Sequence, residues 1–262
     1  MTRVMNSQLG RFLRPRTAIV VALAALAFGL VATLSVFSSP SVADTVGRRG
    51  GAPLATLTGT GGGTEAFAIA ASFAGFLVFV SVIALVASEF SGGTFRALVL
   101  RQPHRIRVIV GLLAAILIVA AGIVAVCEVV TFLLGLVVAP ANGISTSEWF
   151  SLASLGQGLR DYATVLAGVT GWAIFGTTLA VIFRSVPLAL GVGFAWAGPF
   201  ENIVVDSWHT GFRVFPGQVL GSLIRGGTSD LAIGRAIATA LVYTGVAAVA
   251  CLMLVARRDV TS

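Results

Sequence analysis

Between residues 106 and 139 the chain carries only two charged side chains, Arg107 at the start of the run and Glu128 within it. A helix over that run is about 50 Å long at about 1.5 Å per residue. That exceeds the roughly 30 Å hydrocarbon core of a bilayer, and an apolar run of about twenty residues already suffices to span one. A water-soluble globule of this size has no interior that takes such a rod. Five further apolar runs follow the same rule, at residues 17–37, 66–87, 162–183, 187–205 and 233–255. The expectation is an all-α membrane protein with six transmembrane helices, forming a single transmembrane domain over residues 1–262. Composition agrees: 10% of the residues are charged, against about 25% in soluble domains.

The first run follows Arg11, Arg14 and Arg16 and precedes Ser41, Val42 and Ala43, the outline of a cleavable signal peptide. Its apolar stretch outlasts the about 7–15 residues of a signal-peptide core, so it reads as a membrane helix. Orientation follows from arginine, because positive loops stay in the cytoplasm. Eleven of the seventeen arginines, from Arg3 to Arg258, fall on the side of the N terminus and in the shorter loops. Both termini are therefore expected in the cytoplasm. The loop before residue 66 holds a glycine run, GTGGGT, which follows no strand and reads as a flexible linker on the outer side.

All seventeen basic residues are arginine. A phosphate-binding loop of the form GxxxxGK[ST] needs a lysine, so the chain carries no ATPase of that kind. Cys127 and Cys251 lie in apolar runs and make no disulfide framework. No CxxC, HExxH or GxSxG occurs, and the arrangement points to neither an enzyme nor a nucleic-acid binder.

One stretch interrupts the apolar pattern on the cytoplasmic side, SEFSGGTFRALVLRQPHRIR at residues 88–107. Gly92 and Gly93 break the preceding helix. Thr94 is placed to cap a new one, and Phe95, Leu98 and Val99 share a face at i, i+3, i+4 spacing. Arg96 and Arg101 lie off that stripe. Pro103 pushes Gln102 out of the helical region. A two-turn helix is too short to stand alone and needs lipid headgroups or a cytosolic protein to lie against. Residue spacing alone also allows a loop whose arginines only set topology.

Glu89, Gly93, Thr94, Arg96, Leu98, Pro103 and Arg105 together match the pattern E-x3-GT-x-R-x-L-x4-P-x-R. It resembles the loop of permease subunits of type-2 ATP-binding-cassette exporters. The layout is similar too: six spans, a long outer segment before the last span, and Arg257, Arg258 and Asp259 near the end. The lysine that often opens the third span in that family has no counterpart here. The resemblance implies a bacterial cytoplasmic-membrane protein forming half of a translocation pathway for a small amphipathic or hydrophobic compound. It implies that residues 89–107 form a coupling helix docking on a separate ATPase subunit, present in two copies, which holds the ATP and Mg. This chain would bind no cofactor of its own and would pair with a second permease copy or a paralogue. The alternatives are a proton-coupled secondary transporter and a membrane-embedded enzyme, both short of intramembrane chemistry when only Glu128 is counted.

Candidate pathway or gate residues are Glu128, Trp172, Trp196 and Pro199. Glu128 fits either a gate or a hydrated position near the outer boundary. Trp172 and Trp196 sit at mid-span, lining a path or packing between helices. Pro199, after Gly198, is expected to end or bend the fifth helix. The stretch after it, rich in Trp208, Phe212, Phe215, Val219, Leu220 and Leu223, is amphipathic and too polar to span. In the resembling family that region is re-entrant.

Overall fold

A computed structural model of the chain describes residues 10, 15–38, 52–101 and 104–257. Outside these lie Gln102 and Pro103, Ser41, Val42 and Ala43, and Arg3, Arg11, Arg14, Arg48, Arg49, Arg258 and Asp259. The described residues contain no β-strand. Among them ten α-helices run in order: α1 Pro15–Phe37, α2 Leu54–Thr58, α3 Gly62–Ser91, α4 Thr94–Arg101, α5 Arg105–Ala141, α6 Leu152–Phe183, α7 Val186–Ala195, α8 Glu201–Ser207, α9 Pro216–Ile224 and α10 Ile233–Arg257. α7 and α8 join through a π-helical turn, Trp196–Phe200, into one rod over Val186–Ser207. That rod and α1, α3, α5, α6 and α10 are six helices long and apolar enough to cross a membrane. The architecture is that of a multi-pass membrane protein.

α6 is the centre of the bundle. In its most apolar stretch 61% of residues are buried, against 17% for α10, and α3, α5, α7, α9 and α10 surround it. Its first turn is capped by the Ser151 hydroxyl, which accepts from the Ser154 N–H at 3.1 Å. Its last turn closes on Arg184 in the left-handed conformation, φ 50°. Small residues set how closely its neighbours approach. A Cβ on Gly168 would lie 2.3 Å from Ile224 Cγ1, one on Gly171 2.6 Å from Leu220 Cδ2, and one on Gly176 3.0 Å from the Phe79 carbonyl. In lipid no hydrophobic gain draws helices together, so contact of this kind carries the association. The exposed Phe73, Val137 and Val246 are apolar surface on the outside of the bundle.

Two expectations change. The helix around Pro199 does not stop. Proline lacks an N–H and its ring clashes with the carbonyl one turn back, and the π turn widens the backbone enough to pass it. The Asn202 side-chain amide donates to the Gly198 carbonyl at 2.6 Å, taking up an acceptor there. The glycine run is no linker either. Gly61 precedes α3, and Gly62 and Gly63 open it. A Cβ on Gly62 would sit 1.9 Å from the Leu57 carbonyl, and one on Gly63 2.7 Å from the Phe132 ring. These glycines admit Trp149, whose indole N–H donates to that same Leu57 carbonyl at 3.0 Å. Phe37, Leu57, Ala66, Ala139, Ile144 and Trp149 form a small second core there.

After the fifth rod the chain makes a 3-10 turn, His209–Arg213, and then α9, nine residues long and far too short to span. α9 buries Val219, Leu220, Leu223 and Ile224 against α3, α6 and α10.

Candidate functional site

Three places collect the polar chemistry. The first is α4, at the end of the bundle where α3 meets α5. Gly93 adopts φ 71°, a left-handed value that glycine takes without a Cβ penalty, and lets the chain turn between helices. The spacing puts Phe95, Leu98 and Val99 on one face, and Phe95 faces inward. Its ring is buried and lies 4.4 Å from the Phe90 centroid. Leu98 and Val99 pack against the same core. That face is therefore used by the chain itself, and the outward residues are Thr94, Ala97 and Leu100, with Leu100 80% exposed. Glu89 is buried beneath the turn. The Arg184 guanidinium lies 5.9 Å from the Phe90 ring centre, and Arg105 opens α5 close by in sequence. Pro103 lies outside the described residues, as do the side chains of Arg96 and Arg101.

The second place is a group of carboxylates toward the opposite end of the bundle. Asp161 on α6 is buried. It accepts from Thr64 Oγ1 at 2.5 Å and from Gln157 Nε2 at 2.9 Å. Glu65 on α3 and Glu128 on α5 are both within electrostatic reach of it. Gly158 gives Glu128 room, since a Cβ there would come 3.4 Å from its Oε1. Two cations accompany the group: Arg160, which acts on Asp161, and Arg225, following α9, whose Nε–H donates to Ser72 Oγ at 3.0 Å and which faces Glu65. Burial pulls the Arg225 guanidinium below the usual arginine value, and Glu65 opposes that pull. Among the described residues no group of three His, Cys, Asp or Glu is placed to hold a metal ion.

The third place is a cavity of about 290 Å³ between α3, α6, the fifth rod and the start of α9. Phe79, Trp172, Phe175 and Trp196 supply aromatic walls, and Glu201 and Gly217 lie at one side. Phe79 and Trp172 are in ring contact at 5.0 Å. Glu201 is fully buried. Its Oε1 accepts from the Gly217 N–H at 3.3 Å, at the first turn of α9, where the helix dipole favours an anion. Trp196 and Gln218 flank the carboxylate, but neither completes a hydrogen bond to Oε2.

Of the four sequence-derived pathway residues, Trp172 and Trp196 line this cavity. Glu128 belongs to the acid group instead. Pro199 is exposed within the π turn. Sequence reasoning misses Glu65 and Asp161 because it begins each span at the first unbroken apolar residue. α3 starts at Gly62 and α6 at Leu152, which brings both acids inside helices. The signal for α6 is present in Ser151, an N-cap residue type ahead of Leu152, Leu155 and Leu159. Glu201 lies within the expected run 187–205, but its place after Pro199 gives no sign that it turns inward; the continuous rod buries it against the start of α9.

A family described as "Protein of unknown function (DUF2705)" matches residues 18–261 of the chain. No curated protein matches it.

Proposed function

The chain belongs to the DUF2705 family, and on the geometry above we propose that it is the transmembrane subunit of an ATP-driven exporter of the type-2 ATP-binding-cassette class. The observation that carries this reading is α4. An eight-residue helix stands between two membrane-length helices, and with the turn and helix end before it carries the Glu89, Gly93, Thr94, Arg96, Leu98 pattern. It is pinned to its own chain by Phe95 while Leu100 is left 80% exposed. A large apolar side chain on an arginine-rich loop suits a protein partner: the arginines steer a complementary surface and the leucine fills a pocket in it. The partner is a separate ATPase subunit in two copies, holding ATP and Mg. Two permease chains, alike or paralogous, complete the pathway in a bacterial cytoplasmic membrane. Both termini and α4 are cytoplasmic, the acid group and α9 lie toward the outer face, and α9 forms the re-entrant element there. The cargo is a small amphipathic or hydrophobic compound.

The test is co-purification with the ATPase partner. Leu100→Asp leaves the buried face of α4 intact, so the chain should still insert and fold. Assembly should fall at least tenfold, and export should stop. An L100D variant that assembles and transports like the parent overturns the reading.

A second reading draws on the acid group. Carboxylates on three membrane-length helices, Glu65, Glu128 and Asp161, suit a proton-coupled secondary transporter. That reading expects transport that survives ATP depletion, collapses with the proton gradient and is lost in Asp161→Asn. The exporter reading expects ATP depletion alone to abolish it.

A further inference from the structure

The cavity beside Glu201 has a composition that selects its ligand. Its walls are aromatic and aliphatic, and among the described residues a single carboxylate is its only charged group. That carboxylate is fully buried. One oxygen is satisfied by the Gly217 N–H, while Oε2 has no hydrogen-bond partner among the described residues. A buried carboxylate oxygen without a donor is costly, and no described arginine lines the cavity to supply one. What completes the site is a donor that also carries positive charge. Phe79, Phe175, Trp172 and Trp196 line the same cavity, and aromatic rings attract a cation placed over them. A volume of about 290 Å³ falls at the small end of ligand pockets, so the occupant is a compact molecule with one aromatic or aliphatic body.

We infer that this cavity binds a small amphipathic amine in its protonated form, with its apolar body between Trp172 and Trp196 and its N–H on Glu201 Oε2, the carboxylate turning from its buried position toward the cavity to meet it. As a statement about cargo this rests on the exporter reading; as a statement about binding it stands apart from it. An acid or a phosphate is disfavoured by the carboxylate, an uncharged compound lacking N–H or O–H leaves Oε2 without its donor, and an uncharged donor leaves the carboxylate charge unpaired.

The experiment is equilibrium binding to the full chain in lipid nanodiscs, with empty nanodiscs subtracted. The probes are N,N-dimethyl-2-phenylethylamine, charged at neutral pH, and the similarly sized uncharged N,N-dimethyl-2-phenylacetamide. The amine should bind saturably and at least tenfold more tightly than the amide. Glu201→Gln keeps an acceptor for the Gly217 N–H, so α9 stays capped. It should cost the amine at least tenfold and leave the amide unchanged. Ala197→Phe fills the cavity from the fifth rod and leaves the carboxylate in place; it too should weaken the amine at least tenfold. Equal binding of the two probes, absence of saturable amine binding, or an unchanged amine affinity in either variant overturns the inference. No ATPase enters the assay. Loss of the exporter reading through Leu100→Asp would therefore leave amine binding standing, and loss of amine binding would leave ATPase co-purification standing.

Discussion

At the scale of single residues, the glycines divide into two kinds that the sequence does not distinguish. Gly62 has no room for a methyl group, because the Leu57 carbonyl would lie 1.9 Å away. Gly62→Ala should therefore force α2 and Trp149 apart and destabilise the protein by about 1–3 kcal/mol, the range for overpacking. Gly122, inside α5, has nothing within 4 Å of the place a Cβ would take. Gly122→Ala should be stabilising by about 0.5–1 kcal/mol through reduced backbone entropy. Thermal unfolding in detergent, followed by circular dichroism, should move in opposite directions for the two variants. Trp149→Phe keeps an aromatic ring and removes the N–H that reaches the Leu57 carbonyl. It should cost about 1 kcal/mol, the net value of one hydrogen bond, and a neutral result would mean that this carbonyl finds another donor.

Elements that are too short to stand alone are held by a few contacts to the bundle. α4 has eight residues and depends on Phe95 against Phe90. α9 has nine, with Glu201 at its first turn, Leu220 and Ile224 seated on Gly171 and Gly168, and Arg225 at its end. Phe95→Ala should cost about 3 kcal/mol locally, the lower range for losing a buried phenylalanine. Amide hydrogen exchange should then rise by more than tenfold across residues 94–101 and stay unchanged across 216–224. Gly171→Val should do the reverse, since its side chain meets Leu220 and displaces α9. Exchange that rises in both segments together would show that the two short helices are coupled through α6 rather than anchored independently.

For the whole molecule, six membrane-length helices put α4 and the α2 segment at opposite ends of the bundle. With Cys127 and Cys251 replaced by serine and alanine, Thr60→Cys should react with a membrane-impermeant maleimide added outside intact cells. Ala97→Cys should react only after permeabilisation. The reverse pattern would invert the topology and place α4 out of reach of any cytosolic partner.

The sequence by itself determined that the chain is helical and lives in a membrane, because each apolar run must satisfy its backbone internally once water is absent. It also located α4, through Gly93, Thr94 and the spacing of Phe95, Leu98 and Val99. It could not say which side of α4 faces its own chain, since an apolar stripe looks the same whether Phe90 or a partner covers it. Nor could it place the ends of α3 and α6, because a helix runs on past its apolar segment wherever polar side chains find partners, as Asp161 does with Thr64 and Gln157. Pro199 marked a break in the local code, and a π turn carries the helix past it. That continuation carries Glu201 into the bundle beside Trp172, a pairing of residues 29 positions apart in sequence that only the crossing of the fifth rod over α6 brings about.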